Sequence, residues 1–136
     1  MVRFFHLLFV IALLAGCASQ ERSNDRENTL RSFEAQVRFG NNFEALTNFI
    51  HPDYLDENPI STLELRQLDL YRVSGYRVRS MVQADDEMSL TQVVELRMYH
   101  KNTARERTVL YPQLWRYDND RERWMLHSGL PELSNQ

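Results

Sequence analysis

The chain holds a single cysteine, Cys17, and a single lysine, Lys101, among its 136 residues. One thiol excludes an internal disulfide and a multi-thiolate zinc site, so stability has to come from packing. The histidines are scattered, with no His-x-x-x-His pair and no carboxylate partner at ligand spacing, so neither a metal nor a cofactor is expected. His127-Ser128-Gly129 lacks the Gly-x-Ser-x-Gly elbow of a hydrolase nucleophile. Internal repeats and low-complexity tracts are absent. Long apolar runs are confined to Phe4–Ala15, too short to span a bilayer, which takes about 20 residues.

That run is the first positive signal. Arg3 supplies a basic n-region, Phe4–Ala15 an apolar h-region, and Ala15-Gly16 small residues before Cys17, the pattern of an export leader. Leu14-Ala15-Gly16-Cys17 resembles the lipobox of bacterial lipoproteins. The resemblance implies diacylglyceryl transfer to the Cys17 thiol, cleavage before Cys17, and acylation of the new amine. Several acyl chains together hold a protein stably to a bilayer. Ala18, where an Asp would favour retention, points to the outer membrane, facing the periplasm. Residues 1–16 are thus expected to be a signal peptide, 17–24 the lipidated cysteine and a flexible polar tether, and 25–136 one domain.

Removal of residues 1–16 leaves 120 residues and a net charge of −4, enough chain for a single core. Residues 18–65 carry four Arg against nine acids, whereas residues 66–123 carry eleven basic residues against nine acids. Fifteen of the sixteen basic residues are Arg, which suits bidentate binding of phosphate or carboxylate, although compositional bias gives the same enrichment. A net-acidic domain at a membrane surface is a poor nucleic-acid binder, and no nucleic-acid partner is expected.

Helical periodicity begins near Asp25. Leu30, Phe33 and Val37 share one face, and Gly40 stops the helix. Asn42 caps a second helix with Phe43, Leu46 and Ile50 on its apolar side, ended by Pro52. Ser61-Thr62-Leu63-Glu64 fits a capping box and a third short helix. After Tyr71 the period becomes two. Tyr76, Val78 and Ser80 alternate with Arg77, Arg79 and Met81 in one strand, which ends at Asp85-Asp86-Glu87, and Val94, Leu96 and Met98 line the next. Past a tight turn at Lys101-Asn102, a long strand carries Val109, Tyr111, Gln113, Trp115 and Tyr117 on one face. Pro112 places part of that strand at an edge or bulge. Asp118-Asn119-Asp120 turns into a last strand with Trp124, Leu126 and Ser128. The order predicts an α+β fold, with two or three N-terminal helices packed on a curved antiparallel sheet.

Phe49-Ile50-His51-Pro52-Asp53-Tyr54 at a helix end, and the closing hairpin Leu114-Trp115-Arg116-Tyr117 with Arg123-Trp124-Met125-Leu126, resemble the nuclear-transport-factor-2-like superfamily over residues 25–130. The resemblance implies a cone-like pocket between sheet and helices and often a homodimer. It leaves chemistry open, since the superfamily includes enzymes, binding modules and scaffolds. Helix–helix–three-strand order also occurs in small lipoproteins of outer-membrane assembly complexes, without the glycine-rich helix–turn signature here.

Asp53, Tyr54, Tyr99, Tyr111, Trp115, Trp124 and His127 are the candidate pocket or binding-face residues. A cone enzyme needs a carboxylate or imidazole beside an oxyanion-stabilising hydroxyl, and these residues form no such spaced motif, so no catalytic residue is assigned. Arg105, Arg107, Arg116, Arg121 and Arg123 interleave with Tyr111, Trp115, Tyr117 and Trp124, a composition seen at binding hot spots and on ordinary solvated sheets alike. The expected function is non-catalytic: a lipid-anchored envelope domain that binds a partner protein or envelope ligand. The alternatives are a small pocket isomerase or hydrolase and an accessory lipoprotein of an assembly complex.

Overall fold

The computed structural model describes the backbone of residues 2–134 and the side chains of residues 15–134. The leader side chains, Leu14 of the lipobox among them, lie outside the described residues. Helix α1 (Val2–Phe39) is followed by a 3-10 helix (Glu44–Phe49), α2 (Pro52–Glu57) and α3 (Thr62–Leu68). Four strands complete the fold: β1 (Tyr71–Gln83), β2 (Ser89–His100), β3 (Glu106–Asp118) and β4 (Arg123–Leu126). They form one antiparallel sheet in the order β1-β2-β3-β4. The protein is α+β, with its N-terminal helix packed on a curved, unclosed sheet. Among the described residues no helix is long and apolar enough to cross a membrane.

The period of two places residues of opposite character on the two sheet faces. Leu90, Val94, Leu96 and Met98 of β2, with Val109, Tyr111 and Trp115 of β3, are at most 2% exposed. Their neighbours in sequence, such as Arg97, Leu110 and Arg116, face outward to solvent. Phe33 of α1 closes this core, with its ring edge-on to Trp115 at 5.0 Å and to Phe49 at 5.2 Å.

The helical segments depart from expectation in two places. Residues 18–24, expected to be a flexible tether, are helical and continuous with α1. The Arg22 carbonyl accepts from the Trp124 indole at 2.9 Å, and the Ser19 hydroxyl donates to Glu87, so this segment is fastened to the end of the sheet. The second helix is only a 3-10 turn, although the Asn42 side chain does cap it by accepting from Ala45 N–H. Pro52 opens α2 rather than simply ending the helix before it, because a proline at the first helical position removes an N–H that would have had no partner. The Ser61 cap is present, with its hydroxyl accepting from Glu64 N–H.

Two register shifts, between Val73 and Gly75 and between Val78 and Ser80, bend β1. The hairpin turns close through Glu87, Ala104 and Glu122, each with positive φ. The Lys101-Asn102 turn is consequently longer than a two-residue loop, with Ala104 N–H returning to the His100 carbonyl. Leu114 directs its backbone groups toward β4, accepting from His127 N–H and donating to Ser128. Two residues earlier, Pro112 faces the same side beyond the β4 pairing, which starts at Trp115, so its missing N–H deprives no partner.

Replacing Trp115 or Trp124 by Ala is expected to cost about 3–5 kcal/mol each, read as the shift in urea-unfolding free energy. Leu110→Ala, on the solvated face, should stay within about 0.5 kcal/mol of the parent.

Candidate functional site

The inner sheet face is apolar except at its centre. There Gln92 of β2 and Gln113 of β3 sit opposite each other, 2% and 1% exposed. Gln92 Nε2 donates to Gln113 Oε1 at 2.7 Å, and the Trp115 indole N–H donates to the same oxygen at 3.0 Å. Two converging donors fix the orientation of the Gln113 amide. Its Nε2 then donates to the Tyr76 hydroxyl at 3.4 Å. Burial pushes the Tyr76 phenol up to about 12, offset in part by the Gln113 hydrogen bond. Gln92 Oε1 is left buried without a hydrogen-bond partner. An unsatisfied buried acceptor costs about 1–3 kcal/mol.

Beside this amide pair the cover over the sheet runs out. Val78 pairs with Val94 and Met81 with Gln92, so both belong to the inner face. Val94 and Gln92 are buried, yet Val78 is 42% and Met81 52% exposed. Helix α1 lies against β1 and β4 and reaches Tyr111 and Trp115 of β3 through Phe33, yet it leaves Val78 and Met81 of β1 open. The result is an apolar strip bordered by the polar Tyr76–Gln92–Gln113 floor.

A second cluster lies outside the concave face, where α2 meets the β3–β4 turn. His51 caps α2 by accepting from Asp53 N–H through Nδ1, so its Nε2 carries the proton. That Nε2 lies 3.0 Å from Asp118 Oδ2, to which it donates, and Arg121 donates to the same oxygen at 2.8 Å. Asp118 Oδ1 accepts from the backbone of Asp120 and Arg121. The Arg121 guanidinium, helped by the backbone and His51 donors, holds the Asp118 carboxyl down to about 2. With both ring nitrogens of His51 committed, this cluster acts as a clamp between α2 and the turn. The His127 ring stacks on His51 at 4.7 Å, and burial with the neighbouring His51 and Arg116 lowers its pKa.

The sequence candidates separate accordingly. Trp115, Trp124 and Tyr111 are core residues, and the Tyr111 hydroxyl donates to the Gly129 carbonyl at 2.8 Å. Burial raises the Tyr111 phenol well above its ordinary value. Tyr54 packs against that core from α2. Asp53 is exposed in the first turn of α2, and His127 stacks on the outer side near it. Tyr99 stands on the solvated face, apart from the others. Tyr111, Trp115 and Trp124 of the interleaved Arg/aromatic pattern are buried while Arg105, Arg116, Arg121 and Arg123 are exposed, and Arg107 lies over the Tyr71 ring. Sequence reasoning missed Gln92 and the His51–Asp118 contact. A polar residue in phase with Leu90 and Val94 was a usable signal for the first, whereas nothing local pairs residues 67 positions apart.

No protein-family model, curated protein or solved structure matches the chain.

Gln113→Leu strands the Trp115 and Gln92 donors and is expected to lose about 1–3 kcal/mol, while Gln92→Leu removes the orphan acceptor and should cost less, both read by chemical denaturation. Asp118 has a lowered folded pKa, so its stabilisation is present above its ordinary pKa near 3.8 and is lost as pH falls toward about 2. His127 follows the same sign in a higher window, with stability falling as pH drops below about 6.5. Thermal melts between pH 8 and 2 should lose the lower limb in Asp118→Asn and the upper limb in His127→Gln.

Proposed function

We propose that this protein is a lipid-anchored envelope domain that binds an apolar segment of a partner protein, or an apolar envelope ligand, along the open strip of its concave sheet face. The observation that carries the reading is the exposure of Val78 and Met81 on the face where their β2 partners Val94 and Gln92 are buried. Exposed apolar surface rimmed by polar groups marks interaction sites. The half-buried Tyr76, its hydroxyl bonded by Gln113, borders the strip and sets a polar group beside a mostly apolar surface. Anchoring is supported by Leu14-Ala15-Gly16-Cys17 and by the exposed Cys17 thiol. Ala18 favours the outer membrane, with the domain facing the periplasm.

A photo-crosslinking residue at Met81 is expected to give reproducible adducts in the native envelope, while the same residue at Leu110, on the outer face, gives none. Adducts of equal yield at both positions would remove the strip from consideration, and adducts containing only this chain would make the occupant a second copy. Cys17→Ala is expected to move the protein from the membrane fraction to the soluble fraction with its melting temperature retained. Unchanged fractionation of that variant would refute the lipid anchor.

A further inference from the structure

Between the first turns after Cys17 and the end of the sheet lies a second concavity of about 170 Å³. Ser19, Arg22, Ser23 and Arg26 of α1 form one wall, with Gln83 of β1 and Trp124 of β4 opposite. Its lining is polar, and its size suits a small anion rather than a macromolecular segment. Among the described residues neither Arg22 nor Arg26 forms an ion pair. Arg22 Nε is buried without a hydrogen-bond partner, and Arg26 reaches only the Ser23 hydroxyl, at 3.4 Å. A buried, unpaired guanidinium donor is costly in the absence of an acceptor.

The scaffold holds these groups in place. The Arg22 carbonyl is fixed by the Trp124 indole, and its guanidinium lies 6.0 Å over the Tyr117 ring. Glu87 also lines the concavity, where its carboxylate accepts from the Ser19 hydroxyl. Arg22 also lines an adjoining cleft together with Glu21, Asp25, Tyr117 and Glu122. Within the concavity Arg22 and Arg26 stand beside one carboxylate, Glu87, which is engaged by the Ser19 hydroxyl. Guanidinium forks and hydroxyl donors together match the oxygens of a phosphate.

We infer that this concavity is a phosphate-binding site, taking the phosphate of a lipid headgroup or free phosphate. The headgroup source rests on the lipid anchor proposed above. At 1.5 Å per residue, Arg22 lies about 7.5 Å and Arg26 about 14 Å along the helix from Cys17. The headgroup layer of one leaflet is about 5–8 Å thick, which puts Arg22 at its level.

The test uses the full chain in neutral detergent, labelled at the arginine side chains. The NMR signals of the Arg22 and Arg26 Nε–H groups are followed while inorganic phosphate is titrated against chloride of equal ionic strength. Saturable shifts at both arginines are expected, with the affinity weakened about tenfold or more in Arg22→Gln and in Arg26→Gln and unchanged in Arg77→Gln, on β1. The chain is then placed in nanodiscs of phosphatidylcholine with or without phosphatidylglycerol. Phosphatidylcholine also carries a headgroup phosphodiester, so shifts in either nanodisc relative to the phosphate-free detergent identify the headgroup as the source, and shifts with inorganic phosphate alone identify free phosphate. Shifts with neither, or equal shifts with chloride, overturn the site. The mass of the purified chain reports acylation independently, so a failed anchor and a failed phosphate site give different results.

Discussion

Phe33 of α1 stands edge-on to Trp115 of β3, and the rest of the structure depends on that contact. Removing these rings from water fixes where the helix lies across the sheet, which in turn decides what is covered and what is left open. Trp115 also carries a polar obligation, because a buried indole N–H needs an acceptor, and Gln113 supplies it two residues away on the same face. Gln113 then draws in Gln92, and the chain of hydrogen bonds reaches Tyr76 on β1. The polar floor of the candidate site is thus a consequence of how the core tryptophan is accommodated.

The same helix placement links the two proposed sites. Helix α1 crosses the sheet against β1 and β4 without covering Val78 and Met81, and its first turns after Cys17 meet the sheet end at Trp124. There Arg22 is held with a buried donor unsatisfied. The helix therefore serves as a core element that continues unbroken from Cys17. The domain follows Cys17 directly, with no slack tether between them.

The clamp at the far end follows a similar logic. Asp118 receives donors from the backbone of its own turn, from Arg121 and from His51, so one carboxylate ties the β3–β4 turn to the start of α2. Ile50 also bridges Leu126 in parallel, which covers the open edge of β4. These contacts account for His51 and Asp118 as structural residues and leave His127 as the imidazole without a hydrogen-bond partner among the described residues.

The sequence by itself determined the strands, the faces of β2 and β3 and the α+β class, because period-two alternation and turn chemistry are local properties. On β1, by contrast, the register shift between Val78 and Ser80 brings Met81 to the inner face where alternation put Ser80. Tyr111, Gln113 and Trp115 were legible as one face, Ser61 as a cap, and Pro112 as an edge residue. Tertiary structure alone decided that Ala18–Asn24 would be helical, since a polar segment with no apolar stripe takes its conformation from what it docks against, here Trp124 and Glu87. It also decided that Val78 and Met81 would be exposed while their cross-strand partners were buried. Alternation marks which side of a strand is apolar, but the reach of a helix across a sheet is set by packing between distant segments.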